Sequence, residues 1–161
     1  MILDVGGGKF DVSKRYVEKQ YSERFQRKVT MHVIDPYNRS MEHNARVQKI
    51  IEERGGADVV TSISVLNVIP THETRVEHVR VVHKALKKQG LAMFKVWAGS
   101  WPLRGTKKPS TNKARGCFQA NTWASDFVST IREVFGDDSP IYACNIANLI
   151  VARKISASEK L

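Results

Sequence analysis

The chain has 161 residues, of which 42% are hydrophobic, and a formal net charge of +10 at pH 7. This length and composition suffice to bury one core without metals or disulfides, so we expect a single domain over residues 1–161. No apolar run approaches the roughly 20 residues that cross a bilayer, and the first residues do not resemble a secretion signal. Two cysteines exclude a disulfide framework, and no Cys/His spacing suggests a zinc site. We therefore expect a cytoplasmic protein that contacts no membrane.

Strand-like and helix-like segments alternate along the chain, which predicts an α/β sheet with helices on both faces. We predict strands at residues 2–5, 29–34, 58–69 (continuing into a loop), 91–97, 141–146 and 149–155. We predict helices at residues 12–26, 41–54 and 71–90, and a further helix that Thr122 opens. Only Ala147 and Asn148 separate the last two strands, which predicts an antiparallel hairpin. The polar tail, residues 156–161, is expected to fray.

The first predicted strand runs directly into a glycine turn. Its acid, Asp4, is followed by the turn at residues 6–8, and the second strand ends on Asp35. Glycines after a first strand let the backbone approach a ligand, and an acid at the tip of the second strand can accept hydrogen bonds from a ribose diol. Together they indicate a nucleoside-cofactor site at the carboxyl edge of a parallel sheet. The alternative is a flexible glycine turn, with Asp35 forming a turn before Pro36.

The spacing Asp4-x-Gly6-x-Gly8 resembles motif I of the class I S-adenosylmethionine-dependent methyltransferases. A dinucleotide fingerprint would instead have its third glycine where this chain has Asp11. The resemblance implies a Rossmann-like, mostly parallel sheet with an added C-terminal antiparallel hairpin. It also implies S-adenosyl-L-methionine as cofactor, with its ribose hydroxyls held by Asp35. The residues that the resemblance assigns to the cofactor are Asp4, Gly6, Gly7, Gly8, Asp35, Pro36, Ser64, Val65 and Leu66.

Two departures from that family concern the sheet and the site. About 22 residues separate Asp35 from Asp58, which leaves room for one helix but not for the family's additional strand and helix. We therefore expect the usual third strand to be missing or very short. The chain also begins at the central strand, without the N-terminal helices that often cover the cofactor or substrate in this family. Either the site is unusually open, or a protein partner or a second copy covers it.

Three side chains are candidates for catalysis. The stretch from Val65 to Pro70 resembles small bacterial and phage methyltransferases, and its Asn67 either orients a substrate or caps the loop. The Pro-Pro-aromatic motif of amino-methylating DNA enzymes is absent here. Lys95 resembles the strand lysine of RNA ribose 2′-O-methyltransferases, whose motif IV aspartate is absent; the alternative is that Lys95 reaches past the sheet edge into solvent. His72 is a third candidate, as a base near the active edge.

The segment of residues 98–118 carries five cations and no Asp or Glu. We predict a basic loop that leaves the carboxyl end of a strand, where ligands bind in open α/β sheets. Cations beside an aromatic can hold phosphates and stack a base, which indicates contact with RNA or DNA; the alternative is a solvated basic loop. The nucleic-acid candidates are Trp101, Arg104, Lys107, Lys108, Lys113 and Arg115. Gln119 and Asn121 follow, and they either face substrate or cap the next helix.

The function that the sequence supports best is that of an S-adenosylmethionine-dependent methyltransferase whose acceptor is unidentified, with nucleic acid as one acceptor class. The alternative is a noncatalytic subunit that keeps the fold and needs a protein partner. Positioning supplies much of the rate of methyl transfer, so the sequence indicates a cofactor site more clearly than a catalytic residue. The sequence does not distinguish the acceptor atom, the oligomeric state or the need for a partner.

Overall fold

The structure, a computed structural model, describes residues 1–112 and 116–155. Its strands are β1 (Ile2–Val5), β2 (Met31–Ile34), β3 (Ala57–Ile63), β4 (Leu86–Lys95), β5 (Pro109–Asn112), β6 (Cys117–Ala120), β7 (Ile141–Cys144) and β8 (Leu149–Arg153). Its α-helices are α1 (Val12–Phe25), α2 (Met41–Glu53), α3 (His72–Ala85) and α4 (Val128–Phe135), and 3-10 turns cover Leu66–Val68 and Ala124–Phe127. None of the helices in these ranges is long and apolar enough to cross a membrane.

Six strands form one sheet in the order β2-β1-β3-β4-β8-β7, and β5 and β6 form a separate two-stranded sheet. The first four strands of the large sheet are parallel, whereas β8 pairs antiparallel with β4 and with β7. The predicted Rossmann-like sheet with a C-terminal antiparallel hairpin is therefore confirmed. The carboxyl ends of β1, β2, β3 and β4 meet at one edge of the sheet, so the loops that follow them are neighbours.

The expected loss of the third strand is also confirmed, because α2 alone lies between β2 and β3 and β2 is the edge of the sheet. Side chains of the neighbouring helices close this edge. The Glu18 carboxylate accepts the N–H of Met31 at 2.9 Å, and His43 Nε2 lies 2.9 Å from the carbonyl oxygen of Val33. Unpaired strand edges are liable to aggregate, so such cover replaces the pairing that an absent strand would give.

Asn44 of α2 completes the closure of the edge at the end of β2. Its Oδ1 accepts the N–H of Asp35 at 3.1 Å, and its Nδ2 donates to the carbonyl oxygen of Asp35 at 3.0 Å. One amide thereby bonds to both backbone groups of Asp35, as a paired strand would, and the N–H of Arg39 also donates to the Asp35 carbonyl at 3.1 Å. The same contacts fix the backbone of the acid that the sequence assigned to ribose.

The hydrophobic core lies between the sheet and the helices α2, α3 and α4. Its central members include Val60 of β3, Phe94 of β4, Ile131 of α4 and Ile150 of β8, all fully buried. The chain crosses the sheet in opposite directions through α1 and α2, so right-handed connections place α1 on the other face. That face is partly open, and Tyr142 of β7 is 72% exposed on it.

One predicted helix end and one predicted helix start are wrong. The helix predicted to reach residue 90 ends at Ala85, and Leu86 begins β4. Residues 86–90 leave the helical pattern because their backbone is bonded elsewhere: the N–H of Lys154 donates to the carbonyl of Gly90 at 3.0 Å, and Leu86 pairs with Ala57. Thr122 opens no helix, since the 3-10 turn begins at Ala124.

The predicted basic loop is only partly a loop. Residues 98–118 include β5 and the beginning of β6, which pair antiparallel, so part of the segment is a hairpin rather than a loop. Lys113, Arg115 and the predicted frayed tail at residues 156–161 lie outside the described residues.

Candidate cofactor site

The glycine turn that follows β1 is packed too closely to accept side chains at Gly6 and Gly7. Gly6 has φ +82°, and a Cβ there would lie 2.6 Å from Cγ2 of Val65. A Cβ on Gly7 would lie 2.4 Å from Oδ2 of Asp4. Gly8 has φ +75°, and no atom lies within 4 Å of the position that its Cβ would take. The turn thus rests on Asp4 and Val65 and leaves a bare backbone surface at Gly8.

Asp4 is buried in β1, directly below the glycine turn. Its Oδ1 accepts a hydrogen bond from the hydroxyl of Thr61 at 2.7 Å. Burial raises the pKa of Asp4, and the Thr61 bond only partly counters this effect. A second acid, Asp35, also raises the pKa through charge repulsion. Asp4 therefore supports the turn from beneath.

Asp35 lies at the tip of β2 and is only 3% exposed. Its Oδ2 accepts the N–H of Gly8 at 2.9 Å, and its Oδ1 accepts the N–H groups of Tyr37 and Asn38, each at 2.9 Å. Nδ2 of Asn38 lies 3.1 Å from both carboxylate oxygens. Burial raises the pKa of Asp35, but the N–H donors outweigh burial and the net pKa is lowered. The carboxylate is therefore charged and joined directly to the glycine turn.

Arg39 fastens the loop after β2 to the same turn. Its Nε donates to the carbonyl oxygen of Gly8 at 2.7 Å, and its Nη2 lies 2.8 Å from Oδ1 of Asp11. The sequence analysis missed Asn38 and Arg39. The available signal was the polar pair Asn38-Arg39, which follows Asp35-Pro36-Tyr37 in the predicted turn.

The loop after β3 forms the third part of the site. Ser64 has φ +59° and donates its N–H to the carbonyl of Lys95 at 2.7 Å. Val65 contacts the glycine turn, as described above, and Leu66 is fully buried beside it. The structure thus brings together the three segments predicted to hold the cofactor: the turn with Asp4, the Asp35-Pro36 tip and residues 64–66.

Asn67 is buried, and its amide joins two later segments to this loop. Its Nδ2 donates to Oε1 of Gln119 at 3.1 Å, and its Oδ1 accepts the N–H of Trp97 at 3.1 Å. Nε2 of Gln119 donates to the carbonyl oxygens of Trp97 and Ala120 at 2.8 and 2.7 Å. Asn67 therefore positions the ends of β4 and β6, and Gln119 belongs to this network rather than capping a helix.

The other two catalytic candidates lie apart from Asn67 and from each other. Nζ of Lys95 donates to the carbonyl of Ala147 at 2.9 Å, in the turn of the C-terminal hairpin. Nε2 of His72 lies 2.9 Å from Oε2 of Glu133 at the surface. The three side chains do not form one catalytic group.

His78 of α3 is a half-buried titratable group that the sequence did not single out. Its Nε2 lies 2.8 Å from Oγ of Ser62 on β3, and burial lowers the pKa of His78 to about 4. The imidazole is therefore neutral at physiological pH. It packs in the core and stabilises the junction of α3 with the sheet.

Charges of the basic segment are partly neutralised in the structure. Nζ of Lys107 lies 2.6 Å from Oδ1 of Asp126. The Arg104 guanidinium lies 5.2 Å from the ring centroid of Trp123. Within the described residues, neither Arg104 nor Lys108 has an acidic partner. Two of the six nucleic-acid candidates thus present unpaired charge, and a third, Trp101, presents an exposed ring.

No protein-family profile and no curated protein match the sequence. Solved structures do match the fold. The methyltransferase SibL in its apo form has a TM-score of 0.56 at 14% identity, over 96% of this chain and 50% of SibL. A methyltransferase from Clostridium acetobutylicum ATCC 824 has a TM-score of 0.56 at 10% identity, over 97% of this chain and 84% of that protein. Human N-acetylserotonin methyltransferase in complex with SAM has a TM-score of 0.52 at 11% identity, over 96% of this chain and 47% of that protein.

These likenesses define the fold of the chain. It has the class I, Rossmann-like fold of the S-adenosylmethionine-dependent methyltransferases, reduced by one strand. The chain spans about half the length of SibL and of the human enzyme.

Proposed function

We propose that this protein binds S-adenosyl-L-methionine at the carboxyl edge of β1, β2 and β3 and transfers its methyl group. The observation that carries the proposal is the hydrogen bond of 2.9 Å between the N–H of Gly8 and the Asp35 carboxylate. It joins the bare backbone of a glycine turn to a charged acid, which is the pairing that a nucleoside with a ribose diol requires. The likeness of the fold to methyltransferases supports this choice of cofactor over a dinucleotide.

The residues of the site divide the binding between them. The Asp35 carboxylate would accept both ribose hydroxyls, and the bare backbone at Gly8 leaves space for close approach of the rest of the cofactor. Residues 64–66 would line the opposite side of the site. When bound, the cofactor supplies an activated methyl group on its sulfonium. The protein then has to hold the acceptor in line with that group, and such positioning accounts for much of the rate.

Calorimetry with the demethylated product S-adenosylhomocysteine tests the cofactor assignment. Asp35→Ala should weaken binding by about 1–3 kcal/mol, because charge-assisted hydrogen bonds to the ribose are lost. Asp138→Ala, an exposed acid distant in sequence from the glycine turn, serves as the control and should bind like the parent. Tight NADH binding without any binding of S-adenosylhomocysteine would overturn the assignment.

For the acceptor we propose RNA or DNA. The net charge of +10 and the absence of acids from residues 98–118 support a polyanionic partner. Arg104 and Lys108 can contact phosphates, while the ion pair with Asp126 occupies Lys107. Lys113 and Arg115 belong to the same proposal on sequence grounds.

A noncatalytic subunit that needs a protein partner is the second candidate. The specific observation in its favour is the partly open face of the sheet, where Ile63, Leu91 and Tyr142 are exposed. A protein that covered these side chains would remove apolar surface from water. Binding of S-adenosylhomocysteine without methyl transfer to any nucleic acid would favour this candidate.

A further inference from the structure

A cleft of about 290 Å³ opens beside the end of β4. Two indoles form part of its wall: Trp97 is 50% exposed and Trp101 is 90% exposed. Ser110, Thr111 and Asn121 contribute hydroxyl and amide groups to the lining, and Pro102 and Leu103 add apolar surface. Large exposed aromatic rings beside polar groups are typical of binding sites, since soluble proteins usually bury such rings.

Buried amides fix the shape of this cleft. Nδ2 of Asn121 donates to the carbonyl of Lys108 at 2.8 Å and to Oγ of Ser110 at 3.0 Å. Nε2 of Gln119 donates to the carbonyl of Trp97 at 2.8 Å. Since both amides are buried, breaking these bonds would leave unsatisfied polar groups in the interior. The cleft is therefore preformed rather than a gap between mobile loops.

The cleft and the glycine turn lie on either side of one loop. Val65 is in contact with Gly6 at one end of that loop, and two residues further along Asn67 bonds to Trp97 and Gln119. Residues 65–67 therefore connect the cofactor turn directly to the wall of the cleft. This placement suits the molecule that receives the methyl group.

We propose that the cleft binds a nucleobase, stacked on Trp101 and Trp97. This inference rests on the proposed function, because it names the part of the acceptor that enters the site. An indole offers a stacking face to any base, and the hydroxyls of Ser110 and Thr111 can bond to the base edge. Arg104 and Lys108, which have no acidic partner among the described residues, supply the charge for the attached phosphates. A base in a duplex cannot reach such a cleft, so the ligand is a single-stranded or flipped nucleotide.

Calorimetric titration with single-stranded pentanucleotides tests this proposal. An abasic pentamer provides the matched control, because it has the same phosphates and lacks the bases. The base-bearing pentamers should bind at least several-fold more tightly than the abasic one. Trp101→Ala should weaken their binding by about 5- to 150-fold, the usual range for loss of one stacked base. Tyr142→Ala removes another exposed ring, from the open face of the sheet, and should leave binding unchanged.

The outcomes separate this proposal from the proposed function. Equal affinity for base-bearing and abasic pentamers, or no effect of Trp101→Ala, overturns the nucleobase site. If S-adenosylhomocysteine still binds in that case, the cofactor assignment stands alone. Base-dependent and Trp101-dependent binding without any binding of S-adenosylhomocysteine supports the cleft and overturns the cofactor assignment. Mononucleotides, titrated in parallel, distinguish a free nucleotide from a strand as the source of the base, and either source supports the site.

Discussion

The side-chain amide of Asn38 lies 3.1 Å from each of the two carboxylate oxygens of Asp35. One nitrogen thus offers one N–H to each oxygen, which is the donor pattern that the two hydroxyls of a ribose diol would present. Asn38 is exposed, whereas Asp35 is buried beneath it. Both carboxylate oxygens also accept backbone N–H groups, so a diol that bonds to both oxygens competes with this amide, and we expect cofactor binding to be an exchange of donors.

The exchange predicts that Asn38→Ala binds S-adenosylhomocysteine more tightly than the parent. The variant no longer has to break the Asn38 contact, which should strengthen binding by about 2- to 12-fold if that contact contributes roughly 0.5–1.5 kcal/mol. Calorimetry measures the change, with Asn145→Ala in the C-terminal hairpin turn as the control. Weaker binding by Asn38→Ala would mean that Asn38 orients the acid rather than competes with the ribose.

Asn44→Ala should destabilise the fold, because the N–H of Asp35 would lose its partner at the sheet edge and the carbonyl of Asp35 would keep only the N–H of Arg39. We expect the free energy of unfolding to fall by about 1–3 kcal/mol. Urea denaturation measures this change. Gln48→Ala, which removes an exposed contact with Glu52 on the same helix, should cost far less. Similar losses for the two variants would show that the edge needs no such cover.

Two glycines of the turn provide a matched pair. Alanine at Gly6 or Gly8 has to adopt a positive φ, at a cost of about 1–2 kcal/mol. Only at Gly6 would the new Cβ also meet Val65, at 2.6 Å, because the space beside Gly8 is open. Denaturation should therefore show a larger loss of stability for Gly6→Ala than for Gly8→Ala. Equal losses would contradict the packing of the turn against Val65.

The pH dependence of stability should report on His78. Its pKa is about 4 in the folded protein and about 6.5 when unfolded, so both states are neutral above pH 6.5 and this residue costs no stability there. As the pH falls from 6.5 towards 4, the unfolded chain takes up a proton that the folded protein does not, and stability falls. At pH 5 the loss should be about 2 kcal/mol.

Denaturation of the parent and of His78→Gln at pH 7 and pH 5 isolates this contribution. His32 and His83 also have lowered pKa values, but they are present in both proteins. The parent should lose more stability than the variant between the two pH values. The same loss in both proteins would show that His78 is not the group responsible.

Each unpaired cation of the basic segment, residues 98–118, should contribute separately to nucleic-acid affinity. Replacing Arg104 or Lys108 with Gln should each lower the magnitude of the log–log salt slope by roughly 0.7–0.9, because one phosphate contact is lost. Lys107→Gln should change the slope little, since Asp126 already pairs with Lys107. A variant with all five cations of the segment changed to Gln should lose most binding and retain its affinity for S-adenosylhomocysteine. Binding like that of the parent would show that the segment is only solvated surface.

Local patterns in the sequence predicted the parts of the fold that depend on neighbouring residues. The strand, glycines and Asp4 are contiguous, and the short interval before Asp58 by itself excluded the third strand. Long-range backbone pairing determined the element boundaries that the sequence mispredicted. Helix α3 ends at Ala85 because residues 86–90 bond to Ala57 and Lys154, which the local pattern does not register.

The same limit applies to the site. The role of Asn67 depends on Gln119, 52 residues later in the chain, so the sequence left substrate orientation and loop capping as alternatives. The contact of Asn38 with Asp35 is local, and the polar pair after the turn was its sequence signal, but the resemblance to the motif did not predict that the Asn38 amide bonds to the Asp35 carboxylate. Sequence patterns indicate which backbone a ligand approaches, and the side-chain network around it becomes visible only in the folded chain.

Methyl transfer from labelled S-adenosyl-L-methionine is the measurement that tests the central claim most directly. The parent is incubated with single-stranded RNA or DNA, and nuclease-sensitive label is counted beside an Asp35→Ala reaction. We expect label in nucleic acid with the parent and a large decrease with Asp35→Ala, since that variant loses the ribose contact. If the parent binds S-adenosylhomocysteine but transfers no methyl group to any acceptor, the result would contradict the proposal that the protein is a methyltransferase. It would favour a noncatalytic subunit that needs a partner.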